Sequence, residues 1–308
     1  PTKVDADTCR IAFSATTDFE NAIDSNTDNE YVVTLIATDA GSNSDTITLT
    51  ITVVNTNDES PVFGDGDTDA VSVNEGGTTV GDYDVTDADT SDTFNDLSTC
   101  TDGSTDAADF TPTKVDADTC RIAFSATTDF ENAIDSDTDN EYVVTLIGTD
   151  AGGNSDTITI TVTVANTNDE APVFGDGDTH AQSVNEGTTA LGADYDVTDA
   201  DTGDTFNDLS TCTDSGDDAG DFTPTKVDAD TCRMAFAATP DYESAADANT
   251  NNIYLVNLIA TDAGSNSDTI ALTITVVDLN DNSPVFDDGA THAQSVNEGT
   301  TALGADYD

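Results

Sequence analysis

The amino-acid sequence predicts an all-β protein, built as tandem seven-stranded Greek-key β-sandwiches of about 111 residues per repeat. Three observations carry that reading. PTKVDADTCRIAF starts at Pro1 and again at Pro112, and PTKVDADTCRMAF starts at Pro224, so the chain repeats at spacings of 111 and 112 residues, one domain's length. In the segment 156–165, Ile158, Ile160, Val162 and Val164 point one way and Thr157, Thr159, Thr161 and Thr163 the other, the period-two pattern of β-branched strands. No segment carries a convincing helical period.

Within one repeat, strands are expected near 70–75, 80–86, 93–100, 109–115, 119–125, 141–149 and 156–165, joined by turns rich in Asp, Gly, Asn and Thr. Tyr142, Val144 and Leu146 supply a second inward row beside that of 156–165. The phase of the repeat divides the chain into 1–57, the C-terminal part of one repeat; 58–168 and 169–280, two complete repeats; and 281–308, the N-terminal part of another. Residues 1–63 and 112–174 align without a gap and differ at seven positions, including Leu49 against Ile160 and Ile51 against Val162. Such near-identity suits a spacer more than a set of specialised domains. The chain begins mid-repeat, at Pro1, and reads as a window on a longer array; a subunit completed by its neighbour is the alternative.

Composition bounds the function. Sixty-three acidic residues against six basic ones give a formal net charge of −57. No surface here neutralises phosphates, so nucleic acid is excluded as a partner. Disorder is disfavoured, because 36% of the residues are apolar and they alternate in register. The natural counterpart of so much carboxylate is a hard cation, with calcium first. No run of 18 apolar residues appears, so no transmembrane helix is expected in this stretch.

Cys100 pairs naturally with Cys120, and Cys212 with Cys232, each pair enclosing 19 residues between two expected strands. One pair per repeat without metal-type spacing reads as a disulfide, with buried free thiols as the other possibility. Oxidised cysteines would place the protein outside the cytoplasm. His180 and His292 occupy the position held by Asp69 and read as solvent-exposed, while Lys114 and Arg121 read as local partners of carboxylates. No Ser/His/Asp or Cys/His constellation, phosphate loop or basic patch is visible, and the chain reads as a non-enzyme.

Acidic motifs recur in a constant order. The repeat boundaries are NTNDESPVF (55–63), NTNDEAPVF (166–174) and DLNDNSPVF (278–286). Upstream lie Asp18 and Glu20 in DFE, Asp129 and Glu131 in DFE, and Asp241 and Glu243 in DYE. VNEG contributes Glu75, Glu186 and Glu298; DAD contributes Asp87 with Asp89 and Asp199 with Asp201; TDAG contributes Asp39, Asp150 and Asp262. This set resembles the cadherin repeat. The third boundary matches the family's DxNDNxPxF linker in full; DFE and DYE resemble its DRE, VNEG its early glutamate, DAD its DxD, and TDAG its A-x-D-x-G.

The resemblance implies a cadherin- or immunoglobulin-like sandwich with up to three calcium ions held at each junction by oxygen ligands from both repeats. Carried over, the first junction would use Asp18, Glu20, Asn57, Asp58, Asp87, Asp89 and Asp150. The middle one would use Glu75, Asp129, Glu131, Asn168, Asp169, Asp199, Asp201 and Asp262. The third would begin with Glu186, Asp241, Glu243, Asn280 and Asp281. Asn95 and Asn207 resemble further carbonyl ligands. The pattern departs from the family at Asn55 and Asn166, where Asp is usual, and at Glu59 and Glu170, where Asn is usual; the cysteine pair is not a usual family feature. Like charges about 4 Å apart repel by roughly 4 kcal/mol at an intermediate dielectric, so the metal-free junction should loosen. The implied function is a calcium-binding extracellular rod or filament, on the cell surface or secreted. Its partners would be further copies of the same repeats, in the same chain or head to tail. The alternative is the ectodomain of a calcium-dependent cell-adhesion receptor, with a glycan-binding module a weaker third.

Overall fold

The computed structural model describes residues 1–89, 96–201, 208–287, 291, 293–299 and 301. The chain forms two compact units, Pro1–Thr167 and Asn168–Asp308. Among the described residues the secondary structure is strand, with only short 3-10 turns such as Ala107–Asp109.

In the first unit, residues 62–165 form two four-stranded sheets. One orders Val62–Phe63, Thr79–Thr86, Thr119–Phe124 and Phe110–Lys114. The other orders Thr68–Asn74, Ser155–Ala165, Glu141–Asp150 and Leu97–Gly103. Six of the seven expected strands appear within a few residues of their predicted ends. The strand expected at 93–100 is observed over Leu97–Gly103, and residues 93–95 lie outside the described residues.

The first strand is divided, which its sequence pattern hid. Val62–Phe63 pairs in one sheet, and after a turn at Gly64–Asp67 the chain joins the other sheet at Thr68. Gly66 takes φ of 84° there, a left-handed conformation that glycine adopts without steric cost. Thr68–Asn74 then runs parallel to the last strand, placing Val71 opposite Val162 and Val73 opposite Val164. All other strand pairs of this sandwich are antiparallel.

The alternation in 155–165 is realised in the core. Ile158, Ile160, Val162 and Val164 are at most 1% exposed, as are Tyr142, Val144 and Leu146 on the neighbouring strand. Phe63, Tyr83, Phe110, Ile122 and Phe124 meet them from the opposite sheet. Each such side chain contributes about 1.5–3 kcal/mol on burial. Phe110 stacks on Phe124 at 4.7 Å, and Tyr142 meets Phe124 edge-on at 5.0 Å. The Tyr142 hydroxyl accepts from the Ile134 backbone N–H at 3.2 Å, so the polar tip of a buried ring is satisfied.

The second unit repeats this plan between Val173 and Val277, again as two four-stranded sheets. Its core joins Phe174, Tyr195, Phe222, Met234, Phe236, Tyr254, Leu258, Ile270 and Ile274. Residues 1–57 contribute the hairpin Glu30–Thr38 with Ser44–Thr52 and the short pair Thr2–Lys3 with Cys9–Arg10.

Both disulfides form, Cys100–Cys120 and Cys212–Cys232, with Cα atoms 5.8 Å apart in each. Their cysteines lie on strands of different sheets, so each bond staples the sandwich across its core. Cys9 is an exposed free thiol. Arg121 pairs with Asp82 through two bonds, Nε to Oδ1 at 2.6 Å and a terminal guanidinium nitrogen to Oδ2 at 2.8 Å, as expected. Lys114 differs from expectation: its ammonium donates to the Leu97 carbonyl, tying the edge of one sheet to a strand of the other. The position shared by Asp69 and His180 is also more than exposed surface. Asp69 accepts from the Tyr83 hydroxyl at 2.9 Å, and His180 meets the Tyr195 ring edge-on at 5.6 Å. His292 lies outside the described residues.

Candidate functional site

The first repeat boundary lies wholly inside the first unit and can be built residue by residue. Asp87 and Asp89 follow the strand Thr79–Thr86, and Asp89 is fully buried. The Asp89 N–H donates to Asp87 Oδ1 at 3.0 Å, which sets the two carboxylates on one turn. Asp89 Oδ2 then accepts from the backbone N–H groups of Asp58 and Glu59, at 3.1 and 3.0 Å. Those bonds fold the linker back over the following repeat. Carboxylate oxygens of Glu20, Asp58 and Asp89 lie within 4.8 Å of one another. Asp18 is exposed, its Oδ1 accepting from Asn21 N–H at 2.8 Å.

Asp150, 2% exposed, ends its strand and accepts twice from Asn154, at backbone N–H and side-chain amide. The same amide donates to Asn57 Oδ1 at 2.9 Å. Asp150, Asn154 and the linker residue Asn57 are thus one hydrogen-bonded group. A Cβ on Gly152 would stand 2.1 Å from Asn57 Oδ1, so a larger residue here would displace the Asn57 side chain.

The electrostatics of this boundary are unbalanced. Glu20 Oε1, Asp87 Oδ2 and Asp89 Oδ1 are buried without a hydrogen-bond partner, as are both polar atoms of the Asn55 amide. Burial first, and then the charges of Asp89 and Asp58, hold the Glu20 carboxyl above its usual range. Burial, and then Asp89 and Asp150, do the same for Asp87. Among the described residues the ion pairs are Arg121–Asp82 and Arg233–Asp194, neither of which reaches this group. Unpaired buried carboxylate oxygens are costly, and converging acids without a base fit a hard divalent cation.

The same pieces recur, and each unit holds its own. In the first unit, oxygens of Glu75, Asp129 and Glu131 lie within 4.8 Å of one another. Glu75 accepts from the backbone N–H groups of Phe130 and Thr167, each at 2.6 Å, and Glu131 Oε1 accepts from the Asn166 amide. In the second unit, Asp201 Oδ2 accepts from Glu170 N–H, and Asp201 N–H donates to Asp199 Oδ1, both at 3.0 Å. Asn266 joins Asn168 to Asp262 through bonds of 2.9 Å, repeating the Asn57–Asn154–Asp150 group. Gly264 repeats Gly152, with a Cβ that would meet Asn168 Oδ1 at 2.0 Å. Burial and the charge of Asp262 raise Asp199. Asp169 is exposed.

Farther along the second unit, Glu186, Asp241 and Glu243 bring oxygens within 4.8 Å. Glu186 accepts from Leu279 and Tyr242 N–H groups, both at 2.7 Å, and these bonds in that order hold its carboxyl below the usual range. Asn280 and Asp281 are exposed. Asn95 and Asn207 lie outside the described residues. Sequence reasoning missed Asn154 and Asn266; the recurring D-A-G-x-N run, also Asp39 to Asn43, was their signal.

No family model matches the chain. Over 160 residues, half of the chain, it is 31% identical to the protocadherin-like wing polarity protein stan of Drosophila melanogaster, and that stretch is 4% of the fly protein. Its structure is similar to the protocadherin GammaB4 extracellular domain, with a TM-score of 0.58 and 26% identity, covering 87% of this chain and 40% of that one. Mouse cadherin-23 EC22-24 matches with a TM-score of 0.53 and 22% identity over 86% of this chain and 78% of that one. The chain therefore has the fold of the cadherin extracellular repeats in those structures. It spans less than half the length of the curated relative and of the GammaB4 structure.

Proposed function

We propose that this chain is a calcium-binding structural array, whose repeats 58–168 and 169–280 are held in line by calcium at their boundaries to give a rigid extracellular rod or filament. The observation that carries this is the first boundary: three buried carboxylate oxygens, on Glu20, Asp87 and Asp89, have no partner. Calcium would supply the missing positive charge there. The chain's own residues do the positioning. Asp58 and Glu59 backbone groups orient Asp89, and the Asn57–Asn154–Asp150 group anchors the linker. In the same reading, Glu75, Asp129 and Glu131 present one half of the middle boundary, and Asn168, Asp169, Asp199, Asp201 and Asp262 the other. Glu186, Asp241, Glu243, Asn280 and Asp281 present the leading half of the third. Near-identical repeats favour a spacer that extends something from a surface, not a catalyst.

A second reading, an adhesion ectodomain, is favoured by the match to a protocadherin-like protein. Chain association in calcium that is abolished by chelator would support it.

The test is thermal unfolding of the full chain with calcium and with chelator, for wild type and Asp89→Asn. Calcium is expected to raise the wild-type midpoint, and Asp89→Asn to lose most of the rise at its own boundary. In chelator the substitution should be neutral or stabilising, since it removes one of several like charges. A wild-type midpoint indifferent to calcium would sink the reading.

A further inference from the structure

Away from the boundaries, the loop 135–139 reads Asp-Ser-Asp-Thr-Asp and precedes the strand Glu141–Asp150. Oxygens of Asp135, Asp137 and Asp139 lie within 4.8 Å of one another. Asp135 is only 4% exposed, and although its Oδ2 accepts from Asp139 N–H at 2.9 Å, its Oδ1 is buried without any partner. Beneath the loop sits Asp106, 5% exposed, whose two oxygens are used by the backbone N–H groups of Ser136 and Val143. Neither ion pair found among the described residues reaches this loop.

The other repeats carry amides at some of these places. Residues 24–28 carry Asp24, Asn26 and Asp28, and the Asn26 amide donates to Asp28 Oδ2 at 2.7 Å. Residues 247–251 carry Asp247, Asn249 and Asn251; there Asp247 Oδ1 accepts from Asn252 N–H at 3.1 Å and Oδ2 from Asn251 N–H at 2.8 Å. Asp247 thus has both oxygens bonded to backbone N–H groups, whereas Asp24 Oδ1, like Asp135 Oδ1, is buried without a partner.

We infer that the loop 135–139 is a divalent-cation site inside the repeat, with Asp135, Asp137 and Asp139 as carboxylate ligands and calcium as the ion. Acids at alternate positions are the spacing by which short loops wrap calcium, and the following residue must turn sharply. Asn140 does so, at φ of 63°. Only one oxygen of the set is deeply buried and the remaining acids are exposed, which suits the weak affinities of extracellular modules, on the order of 10⁻⁴–10⁻³ M. The site is independent of the boundary reading, since it shares no residue with it.

Equilibrium dialysis of the full chain against calcium chloride tests it. The variant Asp137→Asn/Asp139→Asn copies the amides that the next repeat carries at Asn249 and Asn251, and is expected to bind one calcium fewer than wild type. Asp89→Asn, changed in parallel, reports the boundary separately. Unchanged calcium uptake by the double variant overturns the site. Should that variant not fold, Asn249→Asp/Asn251→Asp decides: one additional calcium is expected, and no gain overturns the inference.

Discussion

Gly152 shows how much one missing side chain governs at the first boundary. Its α-carbon lies against the Asn57 amide, and the same approach recurs between Gly264 and Asn168. Gly152→Ala would drive a methyl group into Asn57 Oδ1 and break its bond to Asn154. Forcing extra volume into such a contact costs about 1–3 kcal/mol. The expected outcome is a lower melting temperature and weaker calcium stabilisation, matched by Gly264→Ala in the second unit; calcium-dependent unfolding curves of both variants measure it. The carboxylates around these glycines were legible in the sequence because their motifs recur in fixed order. TDAG named the glycines too, but a motif states which residues are present and not how closely the linker asparagine approaches them. The position of Asp69 and His180 failed for the same reason: its partners, Tyr83 and Tyr195, lie 14 and 15 residues away on a crossing strand.

At the scale of elements, strand alternation predicted the sandwich well. The long strands 141–150 and 155–165 alternate over four or more residues, so their faces could be assigned from the sequence. The two-residue strand Val62–Phe63 is too short to show a period, and the crossing between sheets at Gly66 erased the remaining signal. The disulfides act at this scale, since each joins strands of two different sheets. Reduction should cost each sandwich roughly 3 kcal/mol in the chain-entropy view, for a loop of this size. Cys100→Ser/Cys120→Ser is expected to melt at a lower temperature without losing strand content, which circular dichroism and calorimetry together would show.

For the whole molecule the dominant quantity is the charge of −57. Calcium at the proposed boundary sites would neutralise only part of it, and the remainder repels itself within each repeat and between chains. Raising sodium chloride in the presence of chelator should therefore raise the unfolding midpoint, because screening shortens the reach of repulsion to about 8 Å near physiological ionic strength. With calcium bound the same salt should do less, since the most crowded carboxylates are already compensated. Differential scanning calorimetry across a salt series checks both arms.

Sequence alone determined the repeat period and the all-β class, offered the disulfides as one of two readings, and named the recurring boundary acids but not Asp135, Asp137 and Asp139. These follow from local chemistry and from recurrence, and neither needs a third dimension. Tertiary structure decided which oxygens are buried and unpaired, where glycine lies against the linker asparagine, and which apolar residues enter a core. Val62 and Phe63 are neighbours in sequence, yet Val62 is 54% exposed and Phe63 is 2% exposed. Burial is a property of what packs against a face, and only the fold brings an opposing sheet to Phe63.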